Sequence, residues 1–226
     1  ASTNDYTQAQ VPAQIQGFYD FHTGPSKGWP DVAYNFFVDR YGGIWEGRQG
    51  SLAGAVRGDA TGGSQGFSQL CSLIGNYQDV PVTAEQQASL TQLLAWLAER
   101  HGIETTPGAT VSFVSRGSNK WPAGQEVTAH TIAGHRDMSL TSCPGDHAYD
   151  LVAAILPTGA SALRTAVPGT PNVSTPAPGG PDPSTADPIS NPTSSPAPLR
   201  PAKRKQNEPS SGSVPRGIRL LAPICS

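Results

Sequence analysis

Two residues stand out for the chemistry their types allow: His135, in Gly134-His135-Arg136-Asp137, and Cys143, in Thr141-Ser142-Cys143-Pro144-Gly145. A neutral imidazole and a thiolate eight positions apart are good zinc donors, because zinc favours nitrogen and sulfur in a tetrahedral shell. Cys143 also lies just before a predicted helix, where exposed amides and the helix dipole favour the thiolate that binds metal. Spacing alone leaves a second reading open, a buried cysteine and a surface histidine, since one His and one Cys hold no metal tightly. Of the other cysteines, Cys71 sits in an apolar run and reads as a small buried hydrophobe, and Cys225 belongs to a tail. An odd, sparse set of this kind makes no disulfide framework.

The elements that must position these residues follow from hydrophobic spacing. Residues 5–21 read as a helix with Val11, Ile15, Phe18 and Tyr19 on one face and Pro12 near its first turn. Residues 33–39 (AYNFFVD) and 44–46 (IWE), joined through Gly42-Gly43, read as a hairpin, and residues 70–77 (LCSLIGNY) as a third strand. Between them, residues 49–66 hold six glycines and read as a long surface loop. Residues 83–101 form the clearest helix, with Thr83 and Gln86 in a capping-box pattern, a stripe of Leu90, Leu93, Leu94 and Leu97, and Gly102 as its stop. Residues 111–114 read as a short strand and 115–125 as a polar stretch. A last helix over 146–156 turns Tyr149, Val152, Ala153 and Leu156 inward and ends at Pro157.

Irregular alternation with an antiparallel hairpin predicts an α/β fold: a single domain over residues 1–156 with a central mixed β-sheet flanked by helices. After Leu156 the composition changes, since 15 of the 22 prolines lie there. Residues 157–226 therefore read as a disordered Pro/Ser/Thr-rich linker or tail, too poor in apolar surface to offset the entropy of ordering. The first part carries 8 Lys/Arg against 14 Asp/Glu, and the tail 7 against 3. No basic face marks the folded part, which argues against a nucleic-acid partner. No apolar run nears the roughly 20 residues of a transmembrane segment. The basic stretch Lys203-Arg204-Lys205 reads as a solvated run, with contact to an anionic polymer as the sharper alternative.

The string AGHRDMSLTSCPGD resembles the zinc segment of peptidoglycan recognition proteins and related N-acetylmuramoyl-L-alanine amidases, and GWPDVAYNFFVDRYGGIWEGR is similar to a second stretch of that family. The resemblance covers about residues 1–156. It implies a mixed-sheet domain with a groove for muropeptides of peptidoglycan, and Zn2+ held by two His and one Cys with water in the fourth position. The reaction it implies is hydrolysis of the amide between N-acetylmuramic acid and L-alanine. That chemistry uses an acidified zinc-bound water and a Lewis acid facing the scissile carbonyl.

Position by position, the resemblance implies His135 and Cys143 as the second and third zinc ligands. Tyr34 matches the tyrosine that orients water or stabilises the oxyanion, and Thr141 a residue that helps stabilise the intermediate. Simpler roles stay open: Tyr34 as a core aromatic and Thr141 as the cap of a turn. Asp137 and His22 read as structural, His130 as a surface residue, and His101 as a favourable charge at a helix end.

The sequence departs from the family pattern in several places. The family's first zinc ligand lies in a His-His-Thr-Ala segment, and the chain opens with the residues that would follow it, Ala1-Ser2-Thr3-Asn4-Asp5-Tyr6. The expectation is an N-terminal truncation that removes that ligand and a central strand, exposes sheet edge, and leaves an impaired zinc enzyme. The groove loop AGAVRGDATGGSQGFSQLC lacks a His and carries Ser68, Ala33 replaces a glycine before Tyr34, and residues 108–131 are longer than the family's usual connection. The readings that follow are a zinc amidase, a non-catalytic peptidoglycan-binding module, and a fragment without function of its own. The substrate class implies a monomer that is secreted or held at the cell envelope.

Overall fold

The computed structural model describes residues 3–165 and the backbone of residues 220–225. Its centre is a four-stranded mixed sheet in the order β2-β1-β3-β6. In β1 (Phe36–Val38) every residue is buried. This strand pairs antiparallel with β2 (Ile44–Glu46) and parallel with β3 (Ser68–Leu73), with Phe36 opposite Cys71 and Val38 opposite Leu73. Because strand side chains alternate in direction, Phe36, Val38, Cys71 and Leu73 share one face while Phe37 and Leu70 point to the other. The first set packs against Leu90, Leu93, Leu94 and Leu97 of α2 (Ala84–His101). On the second face, Phe37 packs with Val11 and Ile15 of α1 (Val11–Thr23) and with Tyr6, Val32 and Ile74. Covering both faces leaves all of β3 buried. Each fully buried Leu or Phe contributes roughly 1.5 to 3 kcal/mol by leaving water.

The long helix α2 has the predicted ends. Thr83 Oγ1 accepts from Gln86 N at 3.2 Å, and Gly102 takes the left-handed conformation (φ 62°) that closes the last turn. The capping box is not completed by a return bond from the Gln86 side chain. That side chain is buried, donates to the Val38 carbonyl at 2.8 Å and accepts from the Tyr77 hydroxyl. It ties α2 to β1 instead.

Three elements differ from the sequence reading. Residues 49–66, expected as a surface loop, bury Ser51, Gly58, Thr61, Gly63 and Ser64. Small residues let this loop lie against β3: a Cβ on Gly58 would stand 2.6 Å from Leu70 Cδ1. The last helix does not stop at Pro157 but runs through α4 (Asp146–Asp150), a π segment (Leu151–Ile155) and α5 (Leu156–Thr165). The π segment re-registers the hydrogen-bond ladder, so that the proline falls in the first turn of α5, where it needs no N–H partner. Leu156 and Ala160 then join the core under α2, whereas Ala153 stays exposed.

The third difference concerns the sheet edge. The expected open edge beside β3 is paired: β6 (Leu220–Cys225) runs parallel to it, from Ser68 opposite Leu220 to Leu73 opposite Cys225. Unpaired strand groups favour any extended segment that can bond them, and the apolar run LLAPIC is hidden in the average composition of the tail. Pro223 is compatible with such an edge position. Residues 166–219 of the predicted tail, with the Lys203-Arg204-Lys205 run, lie outside the described residues.

The polar stretch 115–125 joins the strands of a second sheet, an antiparallel pair of β4 (Thr110–Val114) and β5 (Glu126–His130). Its inward residues Phe113 and Val127 pack with Phe67, Ala133 and Met138 as a smaller core. Among the described residues no helix is long and apolar enough to cross a membrane. The predicted fold class, a mixed sheet with flanking helices, is the observed one.

Candidate functional site

The site is assembled on the second face of the sheet, around Leu70. This residue is 1% exposed, and Tyr34, Ala60 and Cys143 pack against it from three separate segments. Tyr34 precedes β1, is half-buried, and meets Phe37 and His22 edge-on at ring distances of 5.6 and 5.9 Å. Its carbonyl accepts from Arg48 N at 2.8 Å, which joins it to the segment that follows β2. His22 is buried, stacks on Trp29 at 5.0 Å, and has its pKa lowered, mainly by burial; it supports the wall, as the sequence suggested.

The neighbouring Asn35 was not singled out from the sequence, yet it does much of the positioning. It is fully buried, donates to Ser51 Oγ (3.0 Å) and Val56 O (2.9 Å), and accepts from Leu70 N (2.9 Å). One amide thus fixes the glycine-rich loop to β3 beneath Tyr34. The available signal was a polar residue inside the apolar run AYNFFVD.

His135 opens α3 (His135–Met138), a single turn. It is half-buried, and desolvation lowers its pKa, which favours the neutral imidazole. Its neighbour Arg136 donates from the backbone to Cys143 O at 2.9 Å, so the chain folds back and the two donor-bearing segments run side by side. The Arg136 guanidinium reinforces this fold by bonding Ser142 O and the Asp146 carboxylate (2.9 Å) and by lying 4.7 Å over the Tyr149 ring. Asp137 accepts from Gly134 N (2.7 Å) and from the Tyr149 hydroxyl (2.6 Å). That bond, with burial, pushes the Tyr149 pKa up to about 12. After Cys143 the peptide to Pro144 is cis, and Gly145 has φ 89°. A Cβ there would stand 2.5 Å from the Tyr77 backbone, so the turn into α4 requires glycine.

Tyr34 and Cys143 therefore meet on Leu70, and His135 is held beside Cys143 through Arg136. Thr141 is exposed, and its hydroxyl accepts from Cys143 N at 3.2 Å, which caps the turn. His130 is exposed on β5, and Cys71 is buried against α2 with its thiol pKa raised by burial. The donor chemistry of His135 and Cys143 suits zinc, but among the described residues no three His, Cys, Asp or Glu side chains come together. Two donors do not make the three-donor shell of a catalytic zinc. Beside the site, β6 places Ala222 level with Leu70.

The sequence profile of a family described as N-acetylmuramoyl-L-alanine amidase matches residues 2–146. Peptidoglycan-recognition protein SC1a of Drosophila melanogaster is 29% identical over 144 residues, covering 64% of this chain and 63% of the relative. The N-acetylmuramoyl-L-alanine amidase of Sus scrofa is 28% identical over 145 residues, covering 64% of this chain and 20% of that protein. The chain thus spans less than two thirds of the length of either relative. In fold it is similar to human PGRP-IBETAC, solved in complex with glycosamyl muramyl pentapeptide, at a TM-score of 0.50 and 18% identity over 69% of this chain and 77% of that one. With the profile matching well over half of its residues, including Tyr34, His135, Thr141 and Cys143, the chain belongs to the N-acetylmuramoyl-L-alanine amidase family.

Proposed function

We propose that the domain binds muropeptides of peptidoglycan in a groove bordered by Tyr34 and Cys143, which pack over Leu70, and is built for zinc-dependent hydrolysis of the N-acetylmuramoyl-L-alanine amide. Hydrolysis is impaired, because among the described residues His135 and Cys143 supply two donors where a catalytic zinc takes three. The observation that carries this reading is the pairing of the two donor segments through Arg136 N and Cys143 O, beside Tyr34 on Leu70. Tyr34 is the group that would donate to the oxygen of the scissile carbonyl, and Thr141 the second polar group toward the substrate. The protein acts outside the cell or at its envelope, where peptidoglycan lies, and as a monomer.

A second reading, a peptidoglycan-binding module without catalysis, is favoured by the two-donor set itself. Both readings are tested by titrating a muramyl tripeptide calorimetrically into the chain, followed by mass spectrometry of the mixture after prolonged incubation with zinc. Saturable binding with little or no released peptide is the expected result. Release at the rate of an efficient hydrolase would refute the impairment, and no binding at millimolar ligand would remove the family activity from this chain altogether.

A further inference from the structure

The β4–β5 hairpin and the loop joining its strands contribute no residue to the site, yet this insert bonds the carbonyls of Arg136, Asp137, Met138 and Leu140 after His135. A single helical turn has no stability of its own, because forming it fixes several residues for one hydrogen bond. In α3 the last such bond is Ser139 N to His135 O (2.9 Å), which leaves the carbonyls of Arg136, Asp137 and Met138 without helical partners. The loop supplies them. Lys120 Nζ donates to Arg136 O at 2.9 Å and to Asp137 O at 3.0 Å, and Ser118 Oγ donates to Met138 O at 3.2 Å. Asn119 closes the next step from both sides, donating to Leu140 O (3.1 Å) and accepting from Leu140 N (2.8 Å).

The loop that makes these bonds is itself rigid. Ser118 Oγ accepts from the backbone N–H groups of Lys120 and Trp121, each at 3.1 Å, and Ser118 N donates to Trp121 O at 2.9 Å. The Lys120 ammonium sits 4.9 Å over the Trp121 ring, and Trp121 meets Phe113 edge-on. Beneath the loop, Met138 and Ala133, which flank His135 in sequence, are buried against Phe113 and Val127 of the hairpin. At its other end the insert bonds the glycine-rich loop, through Arg116 N to Gly63 O at 2.9 Å. The hairpin thus grips both segments that border the site.

We infer that this insert is a clamp for the His135 turn, and that Lys120 and Asn119 are positioning residues for His135. The inference deepens the proposed function and rests on it for its consequence in ligand binding. A turn held in place before the ligand arrives has less freedom left to lose on binding. Lys120 acts through the carbonyls of Arg136 and Asp137 and touches no ligand.

The test is hydrogen exchange of the amides of residues 136–140 in the full chain, comparing Lys120→Met with Lys120→Arg, alongside muramyl tripeptide affinity. The Lys120→Met variant keeps an unbranched apolar chain of similar length but removes the charged donor, along with its cation–π contact to Trp121. Exchange at Arg136 and Ser139 should then rise about ten-fold, as expected for losing hydrogen bonds from a charged group, while α2 amides keep their protection. The Lys120→Arg variant, which can still reach two carbonyls, should restore it. The tripeptide dissociation constant should rise with exchange in the first variant and recover in the second. Unchanged exchange at Arg136 and Ser139 would overturn the clamp, as would a rise shared equally by α2 or a failure of Arg to rescue. If the unmodified chain binds no tripeptide, the proposed function fails, and the exchange comparison still decides the clamp.

Discussion

The layer between the sheet and α2 and the segment from Gly134 to Gly145 are held by different means. The first is a continuous apolar contact, in which Phe36, Val38, Cys71 and Leu73 face the leucine stripe of α2, with the Gln86 amide as a polar tie to Val38 O. The second has few large apolar side chains and is fixed by directed bonds. Arg136 N reaches Cys143 O, Asp137 joins Gly134 and Tyr149, and Lys120 and Asn119 hold the carbonyl end of the turn. Apolar contact tolerates small shifts and stabilises the whole domain. Directed bonds contribute less, but they fix where the His135 and Cys143 side chains start from. The stability of this protein should therefore be set in one region and the geometry of its site in the other.

The largest effect should come from the apolar layer. Replacing fully buried Leu94 with Ala should cost about 2 to 5 kcal/mol by lost transfer energy and a residual cavity. Chemical denaturation measures it, and the folded fraction should keep its tripeptide affinity. Asn35 lies between the two regions, and its amide ties the glycine-rich loop to Leu70, on which Cys143 packs. The change Asn35→Ala should cost about 2 kcal/mol, because it strands the buried Leu70 N–H, and it should weaken tripeptide binding as well. A loss of stability with affinity intact would separate the loop from the groove.

Tyr149→Phe removes one directed bond and should cost about 1 kcal/mol at neutral pH. It should also change the response to alkali. The folded-state pKa of Tyr149 is raised from 10.0 to about 12, so its contribution is intact below the unfolded value and is lost as pH rises through that window. Tyr6 and Tyr77 are raised too, by burial, and so the variant should show a shallower decline between these values rather than none. Equal slopes in the two proteins would mean that the bond to Asp137 does not hold the phenol protonated. The smallest effect belongs to the exposed face of the hairpin. There Ser112 and Thr128 share a hydroxyl contact of 2.8 Å, and Thr128→Ala should change stability by about 0.5 kcal/mol or less.

The same contrast explains what the sequence made legible. The α2 stripe, its Thr83 cap and its Gly102 stop are periodic and local, and they stand where spacing put them. Both donors were readable as residue types, and family resemblance supplied roles that spacing alone left open. Asn35 and Lys120 were not readable, because their partners lie far off in sequence or on carbonyls, which carry no residue identity. The continuation of the last helix past Pro157 depends on a π segment that no propensity announces. Strand β6 was hidden because six apolar-leaning residues disappear in the average of a proline-rich tail.

The central claim of the proposed function is that the described residues present two zinc donors, His135 and Cys143, rather than three. The most direct test is zinc per chain, by elemental mass spectrometry on the purified 226-residue protein after exchange into metal-free buffer and resupply of zinc, beside a Cys143→Ser control. The account predicts zinc far below one per chain in both proteins. Close to one zinc per chain, abolished in the control, would contradict it and show that a third donor joins His135 and Cys143.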